Sequence, residues 1–160
     1  MDLNDYDSYP QIDSTNLMDY LYQFPEQINS AKTIIDQSNI PRFYDIDRII
    51  ISGNGHNALA GKLLHSYLYD KSTFPIFLVD TDKLPKWVNK HTLIVLISYT
   101  GEDLESMSIF KEAVQKHCKI IGISSAGHLQ KFGNNRNLPY IEIPKNHSTR
   151  MSIGLLFFSS

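Results

Sequence analysis

The stretch that most constrains the fold runs from Thr92 to Glu105 and reads T-L-I-V-L-I-S-Y-T-G-E-D-L-E. Its apolar run, Leu93 to Ile97, stops abruptly at Ser98-Tyr99-Thr100-Gly101, and a helical pattern over about 103–117 follows. This order predicts a buried parallel strand that leads through a loop to a helix N-terminus. Such a loop offers unpaired backbone N–H groups and the positive end of a helix dipole, so it suits an anion.

Two acidic residues, Glu102 and Asp103, lie where that anion would bind. In one interpretation they stabilise the helix, because acids in a first turn contribute about 0.3–1 kcal/mol through the dipole. The phosphate site would then be weakened or lost, since a carboxylate about 5 Å away repels a phosphate charge by roughly 3 kcal/mol at an effective dielectric of 20. In the other interpretation the loop binds an anion, and the hydroxyls of Ser98 and Thr100 add donors.

The bulk properties narrow the functional class. A chain of 160 residues fits one domain, which we divide into an N-terminal helical segment at 1–45 and a sheet with its helices at 46–160. The formal charge of −2 argues against nucleic acid as a partner, and no window is long or apolar enough for a membrane span. The acidic start does not resemble a secretion signal, and the single cysteine, Cys118, fits a reducing compartment. We therefore expect a cytoplasmic protein.

Short apolar strands alternate with helices after an N-terminal helical part. Strands are expected at 48–52, 74–79, 93–97, 119–124 and 140–143, and helices at about 17–22, 25–38, 56–69, 103–117 and from 148 onward. Residues 1–13 are expected to be loosely held, and Asn134 to Asn137 to form a polar loop. The alternation predicts an α/β fold with a five-stranded parallel sheet and ligands at the carboxyl ends of the strands.

The C-terminal helix carries the strongly apolar run Leu155-Leu156-Phe157-Phe158 close to the last residue. Two explanations are open: the helix packs against a second copy of the chain, or the natural chain continued beyond this point. Under the first explanation we expect a homodimer that hides this apolar face.

Two glycine-bearing turns follow strands: Gly53-Asn54-Gly55 and the Ser98 to Gly101 turn. The first alone is a weak signal, since a tight strand-to-helix turn explains it as well as a nucleotide-binding loop does. Both lie at strand carboxyl ends and could face one pocket. His56, just after the first turn, either lines the mouth of that pocket or is simply a polar residue at a helix start.

These turns resemble known motifs. G-N-G-H-N-A-L-A-G-K-L-L resembles the first glycine turn of sugar isomerase (SIS) domains, and S-Y-T-G-E-D-L-E resembles their S-x-S-G-x-T phosphate loop. The F-P-E-Q-I helix at Phe24 to Ile28, the P-x-W-V turn at Pro85 to Val88 and the I-P-x-x-x-x-x-R segment from Ile143 to Arg150 are similar to the amino half of archaeal-type bifunctional phosphoglucose/phosphomannose isomerases. The resemblance extends over roughly residues 14–160.

The resemblance implies a three-layer α/β/α SIS domain, a phosphorylated sugar as ligand and a homodimer. Position by position, Ser98 and Thr100 match the hydroxyls that hold the phosphate, and Arg150 matches an arginine near the reacting carbons, where its charge would stabilise an enediolate. The departures are His56 and Asn57, which replace a glycine and a serine, and Asp103, which replaces a threonine. The candidate site thus comprises the catalytic residue Arg150 and the substrate-binding residues Gly53, Gly55, His56, Asn57, Ser98, Thr100 and Asp103.

The implied reaction is aldose–ketose isomerisation of hexose 6-phosphates without a cofactor or metal, and the histidines show no metal-binding spacing. Moving the carbonyl between C1 and C2 needs a base, which in the resembled enzymes belongs to the carboxyl half. Glu26 and Glu142 are weak substitutes for it. A non-catalytic module that senses a sugar phosphate through dimerisation is the alternative, and a structural assembly domain with a degenerate site is a third possibility.

Overall fold

The computed structural model describes residues 9–136, 138–145 and 148–160. Its centre is a five-stranded, all-parallel sheet in the order β2-β1-β3-β4-β5. The strands are β1 (Arg48–Ser52), β2 (Ile76–Val79), β3 (Thr92–Ile97), β4 (Lys119–Ser124) and β5 (Tyr140–Glu142). The chain order reverses between β1 and β3, so the carboxyl ends of these two neighbours frame the crevice in which open α/β sheets bind ligands.

Helices cover both faces of the sheet. They are α1 (Tyr9–Ile12), α2 (Leu17–Tyr22), α3 (Phe24–Gln37), α4 (His56–Leu68), α5 (Leu104–Gln115), α6 (Gly127–Arg136) and α7 (Ile153–Phe158), with a 3-10 turn at Thr149–Ser152 directly before α7. None of these helices is both long and apolar enough to cross a membrane, as far as the described residues go.

Alternation along the strands creates two cores, because successive side chains point to opposite faces of a sheet. Ile94 and Leu96 of β3 pack on one face with Phe110 of α5 and Leu129 of α6. On the other face, Val95 and Ile97 of β3 pack with α4 and α7, and α3 packs against α7. The predicted three-layer α/β/α fold with additional N-terminal helices is therefore confirmed.

The polar loop predicted at Asn134 to Asn137 is wrong for residues 134–136, which belong to α6, while Asn137 lies outside the described residues. The sequence G-H-L-Q-K-F-G-N-N-R forms a poor isolated helix. Packing supplies the missing stability: Leu129 is 1% exposed, and the rings of Phe110 and Phe132 lie 5.2 Å apart. In the N-terminal segment that we expect to be loosely held, Tyr9–Ile12 forms a short helix with no buried residue, and residues 1–8 lie outside the described part.

The apolar run near the C-terminus is covered by this chain itself. Leu155 and Leu156 are 0% exposed, because α7 packs into the angle between α3 and α4, and only Phe158 remains largely accessible at 43%. The expectation that a second copy hides the Leu155 to Phe158 face is therefore wrong for its two leucines. The homodimer itself stays a prediction that needs another surface.

Candidate functional site

The turns after β1 and β3 lie side by side, as the sequence predicts. The carboxamide oxygen of Asn57, in the first turn of α4, accepts a hydrogen bond from the backbone N–H of Tyr99 at 3.0 Å. Asn57 is 7% exposed, so this bond is shielded from water. At Gly53 a Cβ atom would lie 3.0 Å from the carbonyl oxygen of Ile97, a tight contact that favours glycine where the two strands end. Asn57 thus couples the start of α4 to the loop after β3.

The rim of the first turn is open. Gly55 has φ +56°, a conformation that favours glycine, and a Cβ added there would meet nothing within 4 Å. The neighbouring Asn54 fixes the turn: with its amide nitrogen facing inward, it donates to the carbonyl oxygens of Asp80 at 2.8 Å and Gly53 at 3.3 Å. A ligand could therefore approach the backbone closely at Gly55 without disturbing the turn.

Ser98 is part of the loop's internal bonding. Its side chain is fully buried, its hydroxyl oxygen accepts from the N–H of Gly101 at 3.0 Å, and its hydroxyl proton is donated to a carboxylate oxygen of Asp103. Thr100, in contrast, is exposed, and its oxygen accepts from the N–H of Glu102 at 3.4 Å. The Thr100 hydroxyl is therefore the one that can donate to a ligand outside the loop.

Asp103 is the N-cap of α5. Its second carboxylate oxygen accepts from the backbone N–H of Ser106 at 3.3 Å, which satisfies one of the first-turn donors of the helix. The interpretation in which this acidic residue serves the helix is thus confirmed for Asp103. Among the described residues, the N–H groups of Thr100, Leu104 and Glu105 have no hydrogen-bond acceptor. Donors for an anion therefore remain, although a negative charge lies next to them.

A third turn, Ser125-Ala126-Gly127 after β4, supports the loop, and the sequence analysis did not single it out. The N–H and hydroxyl of Ser125 both donate to the carbonyl oxygen of Tyr99, at 2.8 and 2.7 Å. Gly101, at φ +68°, approaches so closely that a Cβ atom would lie 2.1 Å from the carbonyl oxygen of Ala126. The signal was available in I-S-S-A-G, which repeats the pattern of an apolar strand followed by small residues.

Tyr140, the first residue of β5, anchors the end of β4. Its hydroxyl lies 2.8 Å from both the carbonyl and the hydroxyl oxygen of Ser124, whose own hydroxyl reaches the carbonyl oxygen of Ala126 at 3.0 Å. Burial raises the pKa of Tyr140 above its ordinary value. This hydroxyl therefore acts as a neutral structural group behind the site.

Arg150 and His56 come together at the open rim. The 3-10 turn carries Arg150 so that its Nε donates to Nε2 of His56, the first residue of α4, at 3.3 Å. Both side chains are exposed, and no carboxylate among the described residues forms an ion pair with Arg150. The guanidinium thus keeps donors and its positive charge for a ligand.

The two acidic residues considered as bases do not join this pair. Glu26 is exposed in the first turn of α3, and Glu142 is exposed at the carboxyl end of β5. Residues 9–136, 138–145 and 148–160, which the structure describes, contain no cluster of three or more His, Cys, Asp or Glu side chains placed to hold a metal ion. Along the carboxyl edge of β1 and β3, the site has a cation, an exposed hydroxyl and N–H groups without an acceptor among the described residues. This combination suits a small anionic ligand with further polar groups.

Relatives of known activity match the chain in sequence. It is 35% identical over 137 residues to the bifunctional phosphoglucose/phosphomannose isomerase of Thermoplasma volcanium, covering 84% of this chain and 42% of the relative. The enzyme of the same name from Caldicellulosiruptor bescii is 32% identical over 142 residues, covering 88% of this chain and 42% of the relative. The chain thus spans less than half the length of these curated relatives. No protein-family model matches it.

Solved structures share the fold. The tagatose-6-phosphate ketose/aldose isomerase of Escherichia coli aligns with a TM-score of 0.58 at 19% identity, over 95% of this chain and 44% of that one. The Vibrio vulnificus NanR protein complexed with ManNAc-6P aligns with a TM-score of 0.62 at 11% identity, over 96% of this chain and 61% of that one. The chain therefore has the SIS-domain fold and is similar, over 84–88% of its own residues, to bifunctional phosphoglucose/phosphomannose isomerases, of whose length it matches 42%.

Proposed function

We propose that the chain binds a hexose 6-phosphate at the carboxyl edge of β1 and β3 and acts as the sugar-phosphate-binding unit of an aldose–ketose isomerase. The observation that carries the proposal is the continuity of the site. Arg150 bonds to His56, the adjacent Asn57 bonds to Tyr99, and the Tyr99 loop leads into α5. The relatives named phosphoglucose/phosphomannose isomerase supply the substrate class.

The residues divide the work in the following way. The phosphate accepts hydrogen bonds from the exposed Thr100 hydroxyl and from backbone N–H groups at the start of α5. The sugar lies along the open rim at Gly55, where no side chain intervenes. Arg150 faces the reacting carbons, and its charge stabilises the negative charge that develops on the enediolate oxygens. Ser98 keeps the loop in shape from below and does not itself contact the ligand.

Isomerisation also needs a base that moves the proton between C1 and C2. Among the described residues, no carboxylate is bonded to the Arg150–His56 pair. We propose that this base comes from a partner chain or a further domain. This fits the finding that the chain matches only 42% of the length of the related isomerases.

We propose that the protein is a cytoplasmic homodimer. Its α4 exposes an apolar stripe at helical spacing, with Leu59 48%, Leu63 43% and Tyr67 57% exposed, and Phe158 of α7 is also exposed at 43%. Apolar side chains grouped in this way favour association with another surface. A monodisperse monomer in sedimentation velocity at tens of micromolar protein would contradict the homodimer.

Calorimetric titration with glucose 6-phosphate, fructose 6-phosphate and mannose 6-phosphate tests the binding proposal, with glucose as the uncharged control. We expect dissociation constants below a few millimolar for at least one phosphate and no heat with glucose. Arg150→Ala should weaken binding by about 10–100-fold, which corresponds to about 1.4–2.7 kcal/mol. Arg150→Lys should recover only part of this loss, because lysine lacks the planar fork. The exposed Arg42 provides the matched control Arg42→Ala, which should bind as the wild type does.

A second candidate function is sugar-phosphate sensing without turnover. It is favoured by Asp103, whose carboxylate occupies the loop, and by the absence of a bonded base among the described contacts. A coupled isomerase assay separates the two functions. Turnover that disappears in Arg150→Ala supports the enzyme, whereas calorimetric binding without turnover, even after addition of the missing partner domain, supports the sensor.

A further inference from the structure

Gln27 is a buried polar side chain that the proposed function leaves unexplained. It belongs to the F-P-E-Q-I helix, α3, and is 2% exposed. Its Nε2 donates to the carbonyl oxygen of Met151 at 2.7 Å, and its Oε1 accepts from the N–H of Leu155 at 3.3 Å. These two bonds connect the N-terminal helical segment to the chain more than 120 residues later.

The two partners of Gln27 are the acceptor and donor that an α-helix would join to each other, since they are four residues apart. Here the α-helical part of α7 begins only at Ile153, and the preceding residues form the 3-10 turn Thr149–Ser152. The carboxamide of Gln27 therefore takes the place of one backbone hydrogen bond at the junction. A side chain inserted into the hydrogen-bond ladder is a known cause of a break in a helix.

Two neighbouring residues, Gly154 and Ser152, make room for the Gln27 carboxamide and stabilise the 3-10 turn. At Gly154 a Cβ atom would lie 2.8 Å from Oε1 of Gln27 and 3.0 Å from the Phe24 ring, so a larger residue there would have to displace the Gln27 carboxamide or the Phe24 ring. The hydroxyl of Ser152 donates to the carbonyl oxygen of Ser148 at 2.6 Å and keeps the turn tight. The 3-10 geometry is thus held by side chains on both of its sides.

We propose that Gln27 is the positioning residue for Arg150, an inference that rests on the proposed function of the site. Met151, whose carbonyl Gln27 holds, is the residue next to Arg150. A 3-10 helix turns about 120° per residue and an α-helix about 100°, so converting the turn to α-helix would rotate side chains by about 20° per residue. Arg150 would then leave His56 and the rim of the site. Gln27 acts through backbone geometry and does not touch the ligand.

A double-mutant cycle tests the inference. Gln27→Met keeps the volume of the side chain and removes both hydrogen bonds, and we expect it to weaken fructose 6-phosphate binding by about tenfold. In an Arg150→Ala background the same change should cost less than about twofold, because its effect passes through the arginine. Ala31→Gly, buried in the same helix without a polar side chain, is the control: it should lower stability and leave affinity unchanged. If Gln27→Met does not fold, Gln27→Glu takes its place in the cycle: it keeps an acceptor for the Leu155 N–H, loses the donor to the Met151 carbonyl, and should likewise weaken binding only when Arg150 is present.

A second readout needs no ligand. The Nε–H cross-peak of Arg150, assigned by its loss in Arg150→Lys, should show a lower heteronuclear NOE in Gln27→Met and not in Ala31→Gly. Additive affinity losses in the cycle, or an unchanged Arg150 NOE, would overturn the positioning role. If the wild type binds no hexose phosphate while the NOE falls as expected, the proposed function fails and the positioning of Arg150 stands.

Discussion

Replacing Asp103 by asparagine removes one negative charge from the loop that precedes α5 while keeping its shape. The carboxamide oxygen can still accept from the N–H of Ser106, and the carboxamide nitrogen, in place of the other carboxylate oxygen, can donate to the hydroxyl oxygen of Ser98. Asparagine also caps helices about as well as aspartate. The substitution therefore isolates the electrostatic effect of the carboxylate on a ligand phosphate.

The magnitude follows from the position of the loop. A unit charge about 5 Å from another repels it by roughly 3 kcal/mol at an effective dielectric of 20, and by under about 1 kcal/mol in bulk water. Asp103 is half-buried and Thr100 is exposed, so the site lies between these limits. We expect Asp103→Asn to tighten binding of glucose 6-phosphate by about 5–30-fold, or about 1–2 kcal/mol. The free energy of unfolding should fall by only about 0.3–1 kcal/mol, through loss of the charge–dipole interaction.

Calorimetry at low and high salt is the appropriate assay, since screening should shrink the gain at higher ionic strength. Glu102→Gln is the matched control: it removes the same charge from an exposed neighbour that is not bonded to Ser98, and should change affinity less than about threefold. Unchanged or weaker phosphate binding in Asp103→Asn, measured on folded protein, would refute the idea that this carboxylate opposes the ligand.

Three further predictions concern the framework of the site. Asn57→Ala should lower the free energy of unfolding in urea by about 1–3 kcal/mol, because a buried backbone N–H of the β3 loop loses its acceptor. Gly101→Ala should lower the free energy of unfolding by at least about 3 kcal/mol, since the methyl group would lie 2.1 Å from the carbonyl oxygen of Ala126. Gly55→Ala should lower it by only about 1–2 kcal/mol, because a methyl group there meets nothing within 4 Å. Equal losses of stability in the two variants would contradict the close approach at Gly101. The raised pKa of Tyr140 means that the unfolded chain releases this proton first, so stability should fall as pH rises above about 10. Urea unfolding from pH 8 to 11 should show a shallower decline in Tyr140→Phe.

The sheet and its helices were predictable because their signals are local. The apolar runs of β1 and β4 end where the sequence pattern ends, and the strand–turn–helix at Thr92 to Glu105 has the predicted order. The helix α6 was not predictable in this way, since its two glycines and two asparagines oppose helix formation and its stability comes from Leu129 and Phe132 in the core. Local propensity was overridden there by tertiary packing.

In the candidate site, too, the local features were predictable from the sequence and the tertiary contacts were not. Residue types at strand ends locate the edge of the sheet, but they do not reveal how each side chain is used. The role expected of Ser98 in holding the phosphate stays a prediction, and the structure adds that its hydroxyl donates to the capping carboxylate of Asp103 within the loop. Gln27 was noticed only as part of a motif, since its contacts with Met151 and Leu155 depend on the tertiary fold.

The central claim is that the carboxyl edge of β1 and β3 is the sugar-phosphate site, and chemical-shift mapping tests it most directly. Amide spectra of the labelled chain would be recorded during titration with fructose 6-phosphate and, separately, with fructose. The account predicts saturable shifts at Gly53 to Asn57, at Thr100 to Glu105 and around Arg150, only with the phosphate. No shifts at millimolar ligand, or saturable shifts confined to another surface such as the β5 edge, would contradict it.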